Sequence, residues 1–223
     1  MKLFEKIMYP ILLLFVFASI ILAKTNLNYF ESVLTSEDGF FQWMTFYTLL
    51  FASLMAFYRA KILMPFRGQI FSTCLILFCI LFLFFALDEV SWLQNVFNFK
   101  SPRFFLDHNE KLQTNFHNLV IYGHHINNLV FTFFIKIVAT IYFLVLPFFY
   151  RKILKLKTFL NQFAIPVPRY THTLAYFLLG CLVSLIDSSS NVVIFEFGFY
   201  WIFTLMMYHP LNDEVFSRVS LVR

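Results

Sequence analysis

The hydropathy of this chain is organised in long unbroken runs rather than in alternating or amphipathic patterns. Six runs come near the roughly 20 mainly apolar residues that a helix needs to cross a bilayer. They lie at about 7–23, 41–59, 69–87, 127–149, 172–187 and 191–208. In hydrocarbon the backbone must satisfy its own hydrogen bonds, which leaves the helix as the form such runs take. The pattern therefore predicts an all-α polytopic membrane bundle of six transmembrane helices. Lys2 and Lys6 precede the first run as in a signal peptide. However, Ile21 and Ala23 before Lys24 do not make a small-x-small cleavage site, so the run is read as a retained helix. No Ser/Gly linker, tandem repeat or low-complexity tract interrupts the chain, which predicts one integral membrane domain over 1–223.

Polar residues collect where the runs stop. Between the third and fourth runs, Asp88 to His125 holds four of the six histidines and four of the twelve acids, with Trp92, Gln94 and several asparagines. The same stretch carries Val96, Phe97, Phe99, Phe104, Phe105 and Leu106, which would lie bare in water in a floppy loop. They predict short helices packed at the interface, apolar side down.

Composition narrows the class. Sixty per cent of the 223 residues are apolar, 22% are aromatic and only 13% are charged, which leaves too little polar surface for a soluble domain of this size. Cys74, Cys79 and Cys181 fall inside apolar runs without metal-type spacing and read as small packing residues. The net charge of +5 does not indicate a nucleic-acid partner, because its distribution reports orientation instead. Twelve basic residues fall on one side of the runs, in the N-terminus, 59–68, 151–171 and the tail. Four fall on the other side, Lys24, Lys100, Arg103 and Lys111, and Lys136 lies inside a run. The positive-inside rule then places both termini in the cytoplasm of an inner-membrane protein. The 24–40 and 88–126 connections and the Asp187–Asn191 turn face outward together.

That topology gathers the candidate chemistry at one extracytoplasmic face. Asp88 and Glu89 close the third run and suit metal ligation or general acid/base work, although they could equally mark a helix exit that Trp92 anchors. His117 and His124 are seven apart, nearly two helical turns, with Asn118 and His125 in a parallel row. One of the adjacent His124 and His125 could join His117 and an acid from another helix, such as Glu89, around a divalent metal, zinc for example. Without a metal they cap a helix start. Glu37 and Asp38 open the second run, where acids also suit the helix dipole. Glu196 and Lys136 lie within runs, where an isolated charge costs about 2.5–3.5 kcal/mol. They are expected to pair with each other. The chain has no GxSxG elbow, P-loop, GxGxxG or C-x-x-C-H motif.

DEVSWLQ, SPRFFLDHN and TNFHNL, with EDGFFQW at the second run, resemble a signature of small bacterial multi-pass membrane proteins of unknown function. The resemblance covers roughly 37–118 and implies an acid pair ahead of Ser-Trp-x-Gln and a later His-Asn pair. Here those are Asp88-Glu89 and His117-Asn118. A second likeness is to alkaline-ceramidase-like membrane hydrolases, which carry an Asp-Glu pair near a helix end and zinc-holding histidines. This chain has neither their upstream histidine in the third run nor the HxxxH of their last.

Two functional classes follow. One is a membrane-embedded enzyme, a metal-dependent hydrolase or transferase acting on lipid-linked substrates at the outer face. Asp88, Glu89, His117 and Glu196 would be its catalytic residues, and His117, His124 and Glu89 its metal ligands. The other is a non-catalytic transport or channel element, or a partner-binding subunit, in which Lys136 and Glu196 hold a polar pathway or an assembly contact.

Overall fold

The computed structural model describes residues 2–121, 123–125 and 136–217. The apolar runs in this range are helices: α1 (Leu3–Thr25), α2 (Phe40–Leu63) and α3 (Gln69–Glu89). Two short helices follow, α4 (Gln94–Phe97) and α5 (Arg103–His108). Then come α6 (Lys136–Lys152), α7 (Leu154–Gln162), α8 (Tyr170–Val183) and α9 (Asn191–Tyr208). A two-residue antiparallel pairing of Val120–Ile121 with His124–His125 is the only ladder among the described residues.

Four helices, α1, α2, α3 and α9, are long and apolar enough to cross a membrane. The pair α6 and α7 would make a fifth span if taken together, but it is bent by 117°. The run expected at 127–149 begins in residues outside those described. The run expected at 172–187 is the 14-residue α8, about 21 Å long, short of a hydrocarbon core of about 30 Å. Six full-length spans are therefore not what the described residues present.

Small side chains set the packing. Ala52, Ala56 and Ala60 of α2 are buried, and they let α3 approach closely with Phe71, Leu75, Phe82 and Ala86. Ser53 donates to the carbonyl of Cys79 at 2.8 Å, across the same helix pair. On the other side α9 covers α2 with Leu205, Met206 and Met207. Gly198 brings α9 onto α8, because a Cβ there would lie 2.5–2.7 Å from both Leu179 methyls. Leu12, Val16 and Ile20 of α1 pack into the core formed with Phe197, Ile202 and Val183. α6 joins through a π-turn at Ile141–Val145, where Phe143 stacks on Tyr176 at 4.9 Å and its carbonyl accepts from Thr173. Three of the four long helices, α1, α2 and α3, turn large apolar side chains outward, among them Leu14, Phe17, Leu54, Phe57, Leu77 and Ile80.

The helices leave two ends. One, the capped end, carries 26–39, the 90–121 connection and the 184–190 turn. There Ser188 donates to Glu31 at 2.7 Å, and Lys111 reaches Glu37 at 2.7 Å. The other, the terminal end, brings Lys2 to Asp213 and holds the last turn of α9 through buried Arg59. The Arg59 guanidinium donates to the carbonyls of Met207 and Tyr208, acceptors that a helix C-terminus otherwise leaves unpaired.

Candidate functional site

At the end of α3 the chain reverses through Ser91, Trp92 and Leu93, three consecutive residues with φ of 49°, 55° and 61°. Left-handed backbone costs non-glycine residues about 1–2 kcal/mol each, so side chains must hold the turn in place. Ser91 donates to Gln113 at 3.1 Å and accepts from Asn115 at 2.9 Å. The Gln94 carbonyl accepts from Ser101 and from the Thr114 backbone. Asn109 donates to both the backbone and side-chain oxygens of Asn115. Aromatic contacts tie this polar layer to the bundle, with Phe116 set between Phe84 and Phe105 at 5.5 and 5.4 Å. The short helices expected in this connection are α4 and α5, and Val96, Phe97, Phe104 and Leu106 are exposed on them.

What this cap presents to the bundle is His117. Its Nδ1 lies 3.2 Å from one oxygen of buried Asp88, whose other oxygen accepts the Phe116 backbone N–H at 2.7 Å. The carboxylate thus fixes the ring and leaves Nε2 as the nitrogen available to the space beside it. That space is a cavity of about 300 Å³ lined by Glu37, Asp88, Glu89, His117, Asn118 and Glu196, with Lys111 and Tyr200. Burial alone would pull the imidazole below its ordinary 6.5. The Asp88 hydrogen bond and the fields of Glu89, Asp88 and Glu196 outweigh that and hold it at about 9. The ring is therefore protonated at neutral pH. Glu37 is neutralised at the rim by Lys111 and accepts from Asn118 at 2.7 Å. Glu89 and Glu196, by contrast, open on the cavity, and no hydrogen bond reaches either from the other described residues.

Other residues expected at the site lie elsewhere. Asp38 accepts from Asn95, and Trp92 packs on Phe84 at 5.7 Å. Gln94 belongs to the cap network. His124 sits exposed on the two-residue ladder, away from the cavity lining, so it does not converge with His117 and Glu89. Lys136 lies over the ring of Phe195 at 5.2 Å, and its charge acts on Glu196 although no ion pair within 4.0 Å joins the two among the described residues. Among the same residues no group of three His, Cys, Asp or Glu is arranged to hold a metal.

Sequence reasoning missed the cavity's other lining residues, including Thr35, Gln42, Thr45 and Tyr200. Tyr200 was accessible in principle, since it falls four residues after Glu196 on one helical face. It also missed a second buried cluster at the terminal end. There Glu5 accepts from the Lys2 backbone at 2.8 Å and lies 3.0 Å from His209 and 3.3 Å from His172. Burial pulls His209 below its ordinary value, while its bond to Glu5 opposes that.

No family model matches the chain, and neither a curated protein nor a solved structure is similar enough to it to carry an inference.

Proposed function

We propose that the chain is a multi-pass protein of a cytoplasmic (inner) membrane, with both termini cytoplasmic, and that its capped-end cavity hydrolyses or transfers an acyl-type group of a lipid-linked substrate. The outward apolar faces of α1, α2 and α3 and the uneven distribution of basic residues support the placement. The observation that carries the chemistry is the Asp88–His117 pair facing two carboxylates that no donor among the described residues occupies.

A protonated imidazole held by a carboxylate is a general acid, and an unbonded carboxylate beside it is a general base. In hydrolysis, Glu89 or Glu196 takes a proton from water as the water oxygen bonds to the substrate carbonyl carbon. The bond to the leaving oxygen then breaks as His117 gives that oxygen its Nε2 proton. Lys111 is paired with Glu37 and His117 with Asp88, so the cavity has no surplus positive charge for a bare phosphate and favours neutral or cationic groups. A divalent ion such as zinc would alter that balance. Its donors would be Nε2 of His117 with Glu89 or Glu196, and Asp88 would steady the ring from behind.

The test is incubation of the purified protein in nanodiscs with a bacterial lipid extract in ¹⁸O-water, with lipid products read by mass spectrometry. Label in a released acid identifies hydrolysis, and conversion without label identifies transfer. No conversion, with or without added zinc, would instead favour a transport or partner-binding component.

A further inference from the structure

The terminal end carries a second pocket, unconnected with the chemistry above. It encloses about 210 Å³ and is lined by Arg151, Arg169, Tyr170, Thr171 and Leu211, with Glu5, which is engaged by His172 and His209, also in its wall. Arg151 comes from the last turn of α6, Arg169 caps the start of α8, and Tyr170 and Thr171 form its first turn. Arg151 stacks on the Tyr170 ring at 4.2 Å and donates to its hydroxyl, and Arg169 donates through Nε to the Pro210 carbonyl at 2.9 Å. These contacts fix where both guanidinium groups sit but neutralise neither. All twelve acids of the chain are among the described residues, and none lies within ion-pairing distance of Arg151 or Arg169. Glu5 is held by the Lys2 backbone and the two histidines. Two fixed guanidinium groups at a helix N-terminus make a site for an anion with several acceptor oxygens.

Thr171 also lines an apolar groove of about 200 Å³ between α1 and α8. The groove runs from Tyr9 past Leu12 and Val16 on α1, and past Leu174 and Leu178 to Leu182 on α8. From Thr171 to Leu182 it covers eleven residues, about 16 Å of helix. A basic pocket that shares Thr171 with an apolar trough of that length has the two halves of a phospholipid. The geometry points to a binding site for one anionic phospholipid: its phosphate between Arg151 and Arg169, and an acyl chain along the α1–α8 groove. Free phosphate shares the headgroup chemistry but leaves the groove unfilled. The assignment rests on the bilayer placement proposed above and is independent of catalysis at the capped end.

The experiment is native mass spectrometry of the detergent-solubilised full chain, titrated with phosphatidylglycerol, phosphatidylcholine or inorganic phosphate, with thermal unfolding in parallel. Phosphatidylglycerol is expected to give a one-to-one adduct and raise Tm, and phosphatidylcholine and phosphate to do neither. Arg151→Gln should weaken the adduct about fivefold or more, the loss of one basic contact to an anionic headgroup. Leu178→Trp, at an exposed groove position, should weaken it comparably while both arginines stay in place. Lys155→Gln, which removes a charge at the same end outside the pocket, should leave it unchanged. A Lys155→Gln loss equal to that of Arg151→Gln would overturn the site in favour of diffuse charge. Phosphate adducts indifferent to Leu178→Trp would overturn the lipid assignment. A chain that stays soluble and monomeric without detergent would remove the bilayer placement itself, a different failure from either.

Discussion

Replacing Asp88 by asparagine removes one charge and keeps the shape, and its consequence can be worked out in advance. The Asp88 carboxylate accepts from both the Phe116 N–H and His117 Nδ1. An amide has a single oxygen, so it can serve one of them and must present its NH₂ to the other. The ring then loses the partner that holds it charged. His117 is held at about 9 against an ordinary 6.5. At about 1.4 kcal/mol per unit, that corresponds to at most about 3 kcal/mol of folding stability. The sign follows from the direction: a histidine raised on folding adds stability that is complete below about pH 6.5 and is lost as pH rises through about 9. Asp88→Asn should therefore lower Tm by up to about 5–10 °C at pH 6 and converge on the wild type near pH 10. Thermal unfolding followed by intrinsic fluorescence in detergent, from pH 6 to 10, measures it, with His117→Asn as the reference lacking the ring. A depression equal at pH 6 and pH 10 would refute the charged-pair reasoning.

Three further outcomes are expected. Gly198→Val should destabilise by about 1–3 kcal/mol in the same assay, because the new side chain meets the Leu179 methyls, and Leu179→Ala in the same chain should recover much of it. Arg59→Met should cost about 2–3 kcal/mol by stranding the Met207 and Tyr208 carbonyls, seen as a lower midpoint of chemical unfolding. Gln94→Leu should loosen the cap by removing the acceptor of the Thr114 N–H and one of the two acceptors open to Ser101, and it should speed tryptic cleavage at exposed Arg103 relative to the wild type.

Much of the helical frame is legible in the sequence, because unbroken apolar runs leave the backbone one way to satisfy itself. The runs near 7–23, 41–59, 69–87 and 191–208 correspond to α1, α2, α3 and α9. The shorter α8 was not separable by hydropathy, since Ser184 and Leu185 end it without a charge or proline. The meeting of Asp88, Glu89, His117 and Glu196 was legible through topology, which puts the ends of their segments on one side. The failures share a cause. Lys136 was assigned to Glu196 by counting helical rise; its charge does act on Glu196, but its ammonium sits over the Phe195 ring and the described residues show no close ion pair. His124 was placed on a helix with His117, whereas the chain turns there through a two-residue ladder. Glu5, His172 and His209 are distant in sequence, and only the packing of α1 against α8 and α9 brings them together.

Whether the capped-end cavity does chemistry is settled by comparing wild type, His117→Asn, Glu89→Gln and Glu196→Gln in the nanodisc lipid-turnover assay, using variants that fold. Loss of about a hundredfold or more in His117→Asn and in at least one glutamate variant is predicted, the scale of a removed general acid or base. Turnover unchanged in all three would contradict the account and move the activity away from this cavity.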